Sequence, residues 1–155
     1  MPIKSFKGML ADGAQQKLFL ATNNGSIGYK INKIAGVPNN PGVDTGEHVF
    51  KFYKIEQTTV DAVVDFNDQT LVAVMYFTNR NDTLLSAVNT VVFDNEIFNQ
   101  DLYITHSEIT AAGTTGTAGN YYIELEQIRL DLNENTVATL KDIRNIKNQW
   151  VNNII

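Results

Sequence analysis

Two histidines, four serines and a few carboxylate clusters carry most of the proton-transfer, nucleophilic or metal-binding chemistry available to this chain, and their spacing limits each use. His48 and His106 each lie inside a strand candidate, and neither has another His or a Cys at ligand spacing. A metal triad or a histidine-activated nucleophile needs such neighbours, so the sequence predicts histidines on solvated strand faces. Ser5, Ser26, Ser86 and Ser107 stand outside any Gly-x-Ser-x-Gly turn, and Ser107 points away from its neighbour His106 on an extended strand. Carboxylates cluster at Asp65 and Asp68 and at Asp94, Glu96 and Asp101; 65–68 and 94–96 are oxygen-rich turns of the kind that can hold Ca2+, but without EF-hand spacing. Whether Ca2+ binds near Asp94 and Glu96 stays open at this point. Glu124 and Glu126 share one strand face; paired acids serve glycosidases, but here they read as a solvated face that needs lysines opposite to relieve repulsion.

The glycines make no phosphate cradle. Gly8, Gly13 and Gly25-Ser26-Ile27-Gly28 lack the Gly-Lys-Ser/Thr of a P-loop, and no dinucleotide fingerprint opens a helix. With no cysteine in the chain, disulfides, thiolate zinc sites and thiol catalysis are excluded. An acid, a base and a stabiliser do not assemble from these residues, so the expectation is a protein that is not an enzyme, with no catalytic residue, cofactor or resident metal.

The elements that must position these residues are strands. Over the first 130 residues the pattern is short apolar or alternating runs broken by turn residues. Strands are predicted at 17–22, 29–34, 49–55, 69–77, 90–93, 102–106 and 121–130, with a proline-containing loop at 36–46 and a Gly/Thr/Ala loop at 110–120. Residues 71–77 are apolar without alternation, which places that strand centrally with both faces covered. Within 121–130, Ile123 and Leu125 have one parity and Ile128 and Leu130 the other, which predicts a bulge near Glu126 and Gln127 or, alternatively, a strand that leaves one sheet and enters another. Asp131 and Glu134 have the form of a capping box, and Val137, Leu140, Ile143, Ile146 and Trp150 recur at helical intervals, so a helix is predicted over 132–150. The 155 residues therefore read as a single domain: an N-terminal arm at 1–16, a β domain at 17–130, and a C-terminal helix and tail at 131–155. The fold class is mainly β, an antiparallel β-sandwich or jelly-roll-like domain with one C-terminal helix.

Charge and apolar content bound the partners. Lys and Arg number 12 against 17 Asp and Glu, a net charge of -5, which argues against a nucleic-acid partner. Charged residues are only 19% of the chain, against 18 Asn and 15 Thr, so the surface is mostly neutral and polar. Tyr29, Phe50, Phe52, Tyr53, Tyr121 and Tyr122 have the chemistry to stack on bases, which core packing explains more simply, or to form a sugar-binding platform, which the sequence does not separate from packing. No apolar run nears the length of a membrane span and no secretory signal opens the chain, so the expectation is synthesis in the cytoplasm without a membrane partner.

Three stretches carry a likeness to a known group. They are Phe93-Asp94-Asn95-Glu96-Ile97-Phe98-Asn99-Gln100-Asp101-Leu102-Tyr103-Ile104-Thr105, then Asn120-Tyr121-Tyr122-Ile123-Glu124-Leu125-Glu126, then Thr136-Val137-Ala138-Thr139-Leu140-Lys141-Asp142-Ile143-Arg144. With the opening residues 1–13 and Gly28-Tyr29-Lys30, the chain resembles small virion structural proteins of marine, cyanophage-like tailed bacteriophages. The resemblance implies a non-enzymatic virion protein, made in the host cytoplasm. It would be a capsid decoration or head–neck component that binds itself, as a homo-oligomer, and the major capsid or neck protein. Ile3, Phe6, Met9 and Leu10 near the start, and Trp150, Val151, Ile154 and Ile155 at the end, are the candidate interface residues, either as arms on a neighbour or as cover for the domain's own sheet. The alternatives are a carbohydrate-binding or host-recognition module of a phage particle, and a small oligomeric Sm-like nucleic-acid-binding barrel.

Overall fold

Apolar residues recurring every second position organise this chain into strands that bury one face. The computed structural model describes residues 2–22, 25–41, 46–80, 85–93, 97–109 and 116–131. These contain eight strands: β1 (Ile3–Leu10), β2 (Gln15–Leu18), β3 (Ile27–Pro38), β4 (Glu47–Tyr53), β5 (Leu71–Arg80), β6 (Leu85–Val92), β7 (Leu102–Ile109) and β8 (Gly119–Arg129). They pair antiparallel in a three-stranded sheet, ordered β1-β8-β3, and a five-stranded sheet, ordered β2-β7-β4-β5-β6. The chain is mainly β, as expected. The predicted helix over 132–150 and the tail with Trp150, Val151, Ile154 and Ile155 lie outside the described residues.

One core joins the two sheets. The smaller contributes Leu10, Tyr29, Ile31, Ile34, Tyr121, Ile123 and Leu125; the larger contributes Leu18, Phe50, Phe52, Ala73, Met75, Phe77, Leu102 and Ile104. Burying an Ile, Leu or Phe from water is worth about 1.5–3 kcal/mol each, so this shared core is the main reason the sheets stay together. Phe50, Phe52 and Tyr121 are core side chains, as their packing reading expected.

The N-terminal segment differs from its expected role. Residues 3–10 are a full strand, paired with β8 from Ile3 opposite Glu126 to Leu10 opposite Gly119, and not an arm ahead of the domain. The reason is parity. Phe6 and Leu10 turn toward the core, whereas Ile3 and Met9 take the opposite parity and are exposed. The four residues grouped as one apolar set therefore belong to two faces of one strand.

The bulge also sits elsewhere than expected. β8 runs unbroken against β1, and the register shift lies on β3, between Ile31 and Lys33, where Asn32 is the extra residue. Tyr29 and Ile31 are buried, Asn32 and Lys33 are both exposed, and Ile34 is buried again. One inserted residue resets the inward parity of β3 and leaves β8 regular through Leu125.

β5 has β4 and β6 on its two sides and is apolar on both faces, as its unbroken run predicts. Ala73, Met75 and Phe77 join the inter-sheet core, while Leu71 and Val74 pack with Tyr53, Phe93 and Tyr103 on the outer face. Residues 54–70 pass close to that outer face, where Phe66 meets Phe93 edge-on at 5.2 Å between ring centroids. Lys51, buried on β4, holds this excursion: its Nζ donates to the Val63 carbonyl at 2.6 Å and to Asp61 Oδ1 at 3.0 Å. Asp65 and Asp68 serve the excursion as turn acceptors, taking the amides of Asn67 and Thr70. Replacing Lys51 with Met removes both clamp bonds and is expected to lower stability by about 1–3 kcal/mol. Limited proteolysis checks this: cuts should concentrate in 54–70 while sheet circular dichroism is retained.

Candidate interaction surface and a buried histidine pair

The outer face of the three-stranded sheet is laid out in cross-strand rows. Ile3, Glu126 and Lys30 form one row; Ser5, Glu124 and Lys33 the next; then Lys7, Tyr122 and Ala35; then Met9, Asn120 and Val37. Each row lies across β1, β8 and β3, so the face divides along the strands into a charged end and an apolar end. The lysines opposite Glu124 and Glu126 supply the counter-charges that these acids require on one face.

At the apolar end the face dips into an open trough of about 480 Å³, lined by Lys7, Met9, Val37, Asn120 and Tyr122 among others. Met9 is 59% exposed and Val37 52%, while Tyr122 is half-buried and its hydroxyl reaches Glu124 Oε1 at 3.3 Å. The floor is low because the row beneath alternates small and large: Gly8 and Gly36 flank Tyr121, whose ring turns inward and whose hydroxyl donates to Gln16 Oε1 at 2.7 Å. A Cβ on Gly36 would stand 2.6 Å from Met75 Cε, so the small residue there is a packing requirement. An exposed methionine and valine beside a tyrosine, rimmed by lysine, asparagine and glutamate, has the composition of a protein-contact patch. Sequence reasoning found Ile3 and Met9 for this face; it assigned Phe6 and Leu10 to the same set, and those two belong to the core side. Val37 and Tyr122 were missed as partners because the pairing of β1 and β3 to β8 is not visible in any local pattern.

The two histidines are not on solvated faces. Both are fully buried, and His48 Nδ1 lies 2.9 Å from His106 Nε2. The correction follows from parity and register. His48 shares its inward face with Phe50 and Phe52, His106 shares its own with Ile104 and Leu102, and β4 pairs with β7 so that Phe50 lies opposite His106. The rings stack with Phe77 at 4.9 Å and Phe50 at 4.4 Å between centroids. That same-parity run of apolar neighbours was the available signal.

Elementary bonding fixes the tautomers. His106 Nδ1 faces the Ala11 carbonyl at 3.1 Å, and a carbonyl only accepts, so Nδ1 carries the proton. Burial, the largest influence, holds the His106 imidazole below its ordinary 6.5; the Ala11 carbonyl opposes this and neighbouring His48 adds to it. His106 Nε2 is then a bare acceptor, and His48 Nδ1–H donates to it. The turn at 11–14 closes on the same residue, with Gly13 N–H donating to the His106 carbonyl and His106 N–H to the Ala14 carbonyl. Gly13 has φ of 81°, which glycine adopts without strain. The pair thus ties the β1–β2 turn to the interior.

The carboxylates are also occupied structurally. Asp101 accepts from the amides of Leu20 at 2.8 Å and Ala21 at 2.9 Å and pairs with Lys17 Nζ at 3.3 Å. Burial pushes its carboxyl up, and these amides with Lys17 outweigh that, leaving it below the usual range. Asp94 and Glu96 lie outside the described residues, and among those described no group of three potential ligands gathers for a metal ion.

No family model matches this chain, and no curated protein matches it. Among solved structures it is similar to one described as a "putative glycoside hydrolase" from Bacteroides thetaiotaomicron, with 11% identity and a TM-score of 0.31. The alignment covers 84% of this chain and 49% of that one, so the chain spans about half its length. A likeness of that size carries no argument about fold or chemistry.

Two outcomes follow for the histidine pair. Because the folded pKa of His106 is depressed, its contribution is complete above 6.5 and is lost as pH falls below that value. The urea midpoint should be level above pH 6.5 and decline as pH falls below it, with the His106 ring resonance titrating below 6.5 by NMR. A level midpoint through that window contradicts it. Gly119 lies over the pair, and a Cβ there would stand 3.0 Å from His106 Nε2, His48 Nδ1 and Phe50 Cε2. Gly119→Ala is expected to destabilise by about 1–3 kcal/mol in denaturant unfolding.

Proposed function

We propose that this protein is a non-enzymatic structural component of a phage particle, a capsid decoration or head–neck protein built on a β-sandwich of jelly-roll-like type. The observation that carries this reading is the apolar trough of Met9, Val37 and Tyr122 on a sheet face whose other end is charged. Such a patch suits a modest protein contact with a polar rim, and symmetry in a particle multiplies modest contacts. The likeness of residues 93–105 and 120–126 to virion proteins of marine phages supports the same direction. The partner is the major capsid or neck protein, with further copies of the chain beside it, and the location is the virion after synthesis in the host cytoplasm. Binding only the assembled shell would stabilise it by RT ln(1 + [L]/Kd).

A second reading is a carbohydrate-binding or host-recognition module. It is favoured by the half-buried Tyr122 ring beside Lys7, Asn120 and Glu124, an aromatic surface with polar groups around it. Oligosaccharide binding that disappears in Tyr122→Ala would move the assignment there.

The test is mass spectrometry of density-banded phage particles from lysates of cells producing the chain. The protein should appear at a fixed stoichiometry to the major capsid protein. Val37→Lys should lower its occupancy on particles by about tenfold, with unchanged circular dichroism. Absence from washed particles overturns the reading.

A further inference from the structure

Among the described residues, four strands border the two sheets: β1 and β3 on the smaller, β2 and β6 on the larger. An edge strand presents unpaired N–H and C=O groups, a template for another strand unless the sequence blocks it. Three of the four edges carry such blocks. β1 has exposed Lys4 and Lys7. β2 is four residues long, carries Lys17, and is flanked by Gln57, whose amide and carbonyl bond the Gln15 side chain at 2.9 and 3.0 Å. β3 has the bulge between Ile31 and Lys33, the two lysines Lys30 and Lys33, and Pro38 at its end.

β6 has none of these devices. Leu85-Ser86-Ala87-Val88-Asn89-Thr90-Val91-Val92 is eight residues without a charge, a proline or a glycine. Its register with β5 is unbroken from Arg80 opposite Leu85 to Ala73 opposite Val92, so it is straight enough to take a neighbour. Val88 is 68% exposed and Val91 is exposed on the other face. Among the described residues, β5 is its only ladder partner.

We propose that β6 is a pairing edge, and that its occupant is β6 of a second copy, antiparallel across a two-fold axis. A main-chain ladder is completed only by another strand, which sets the chemistry of the occupant. A net charge of -5 opposes contact between copies over most of the surface, and at β6 no like charges meet. The strand is also complementary to itself. A two-fold at Thr90 sets Val88 opposite Val92 and Asn89 opposite Val91, with each residue keeping its own face. Both exposed valines are then covered, and two five-stranded sheets become one continuous sheet. This inference deepens the self-association within the reading above and rests on that part of it; the trough assigned to the capsid contact is a separate surface.

The experiment is sedimentation of the full chain over a dilution series, for wild type, Val91→Lys and Val37→Lys. Wild type and Val37→Lys should form dimers that dissociate on dilution, and Val91→Lys should raise the dissociation constant by about tenfold or more. Hydrogen exchange on the wild type gives a second reading independent of any variant: amides in 85–92 should be protected in the dimer and lose protection on dilution. A wild type that stays monomeric overturns the inference, as does protection of 85–92 unchanged by dilution, which would mean the chain covers this edge itself. Loss of the dimer in Val37→Lys but not in Val91→Lys overturns it too, by moving the self-contact to the trough. Detection of the chain on particles is unaffected by any of these results, so the particle reading fails or stands separately.

Discussion

The smaller layer of this protein depends on one strand. β8 supplies every ladder contact that β1 and β3 make within their sheet, pairing with both over nearly its whole length. Its period of two therefore decides what each side of the layer becomes. Tyr121, Ile123 and Leu125 meet the larger sheet, and Asn120, Tyr122, Glu124 and Glu126 make the outer face. A shift of one residue would exchange the two sets, burying two glutamates and exposing three large apolar side chains, which is why the register tolerates no slip. The extra residue that the layer does contain sits on β3, an edge strand, where it disturbs one ladder instead of two.

Several ionisable side chains, from buried Lys51 and Glu108 to exposed Asp12, act as clamps on main chain. Lys51 holds the Val63 carbonyl, Asp101 the amides of Leu20 and Ala21, Asp12 the amide of Glu108, and Glu108 the amide of Thr117. Each clamp joins segments distant in sequence or closes a connection over the sheets. The His48–His106 pair belongs to the same economy, because its second bond goes to the Ala11 carbonyl. A charge-poor chain thus commits several of its few charges to fixing connections. Such bonds gain strength where water is excluded and are costly to leave half made.

Much of this was legible in the sequence, and the parts that were not have physical reasons. The positions of β3, β4, β5, β7 and β8 followed from local apolar patterning and the central place of β5 from its unbroken run, whereas β1 was read as an arm and β2 as a strand at 17–22 that lies largely beyond its end at Leu18. β6 was read as only 90–93, because Ser86, Ala87 and Asn89 break any apolar pattern; an edge strand with little to bury leaves a weak periodic signal. The parity reversal belonging to the bulge was visible twice, in β3 and in β8, and the wrong strand was chosen: Ile128 stays in regular register opposite Gly28 and is only partly buried. The histidine pair needed the β4–β7 register, a fact about two segments some fifty-eight residues apart. The trough likewise arises from three strands that meet only in space. Local periodicity reveals which residues face inward, and only pairing reveals which of them meet.

The arrangement of β1 and β8 has a mechanical consequence. The chain enters the smaller sheet at Ile3, opposite Glu126, and leaves β8 at Arg129, so both ways out of this hairpin-like pair lie at one end. Tension applied between them would load the ladder bonds one after another, starting with the bond from the Gln127 amide to the Pro2 carbonyl, and would peel β1 away like a zip. Tension along the strands, shared by all the bonds at once, would meet far greater resistance. A layer built this way bears load along its strands, and yields first where β1 and β8 are drawn apart at the end they share.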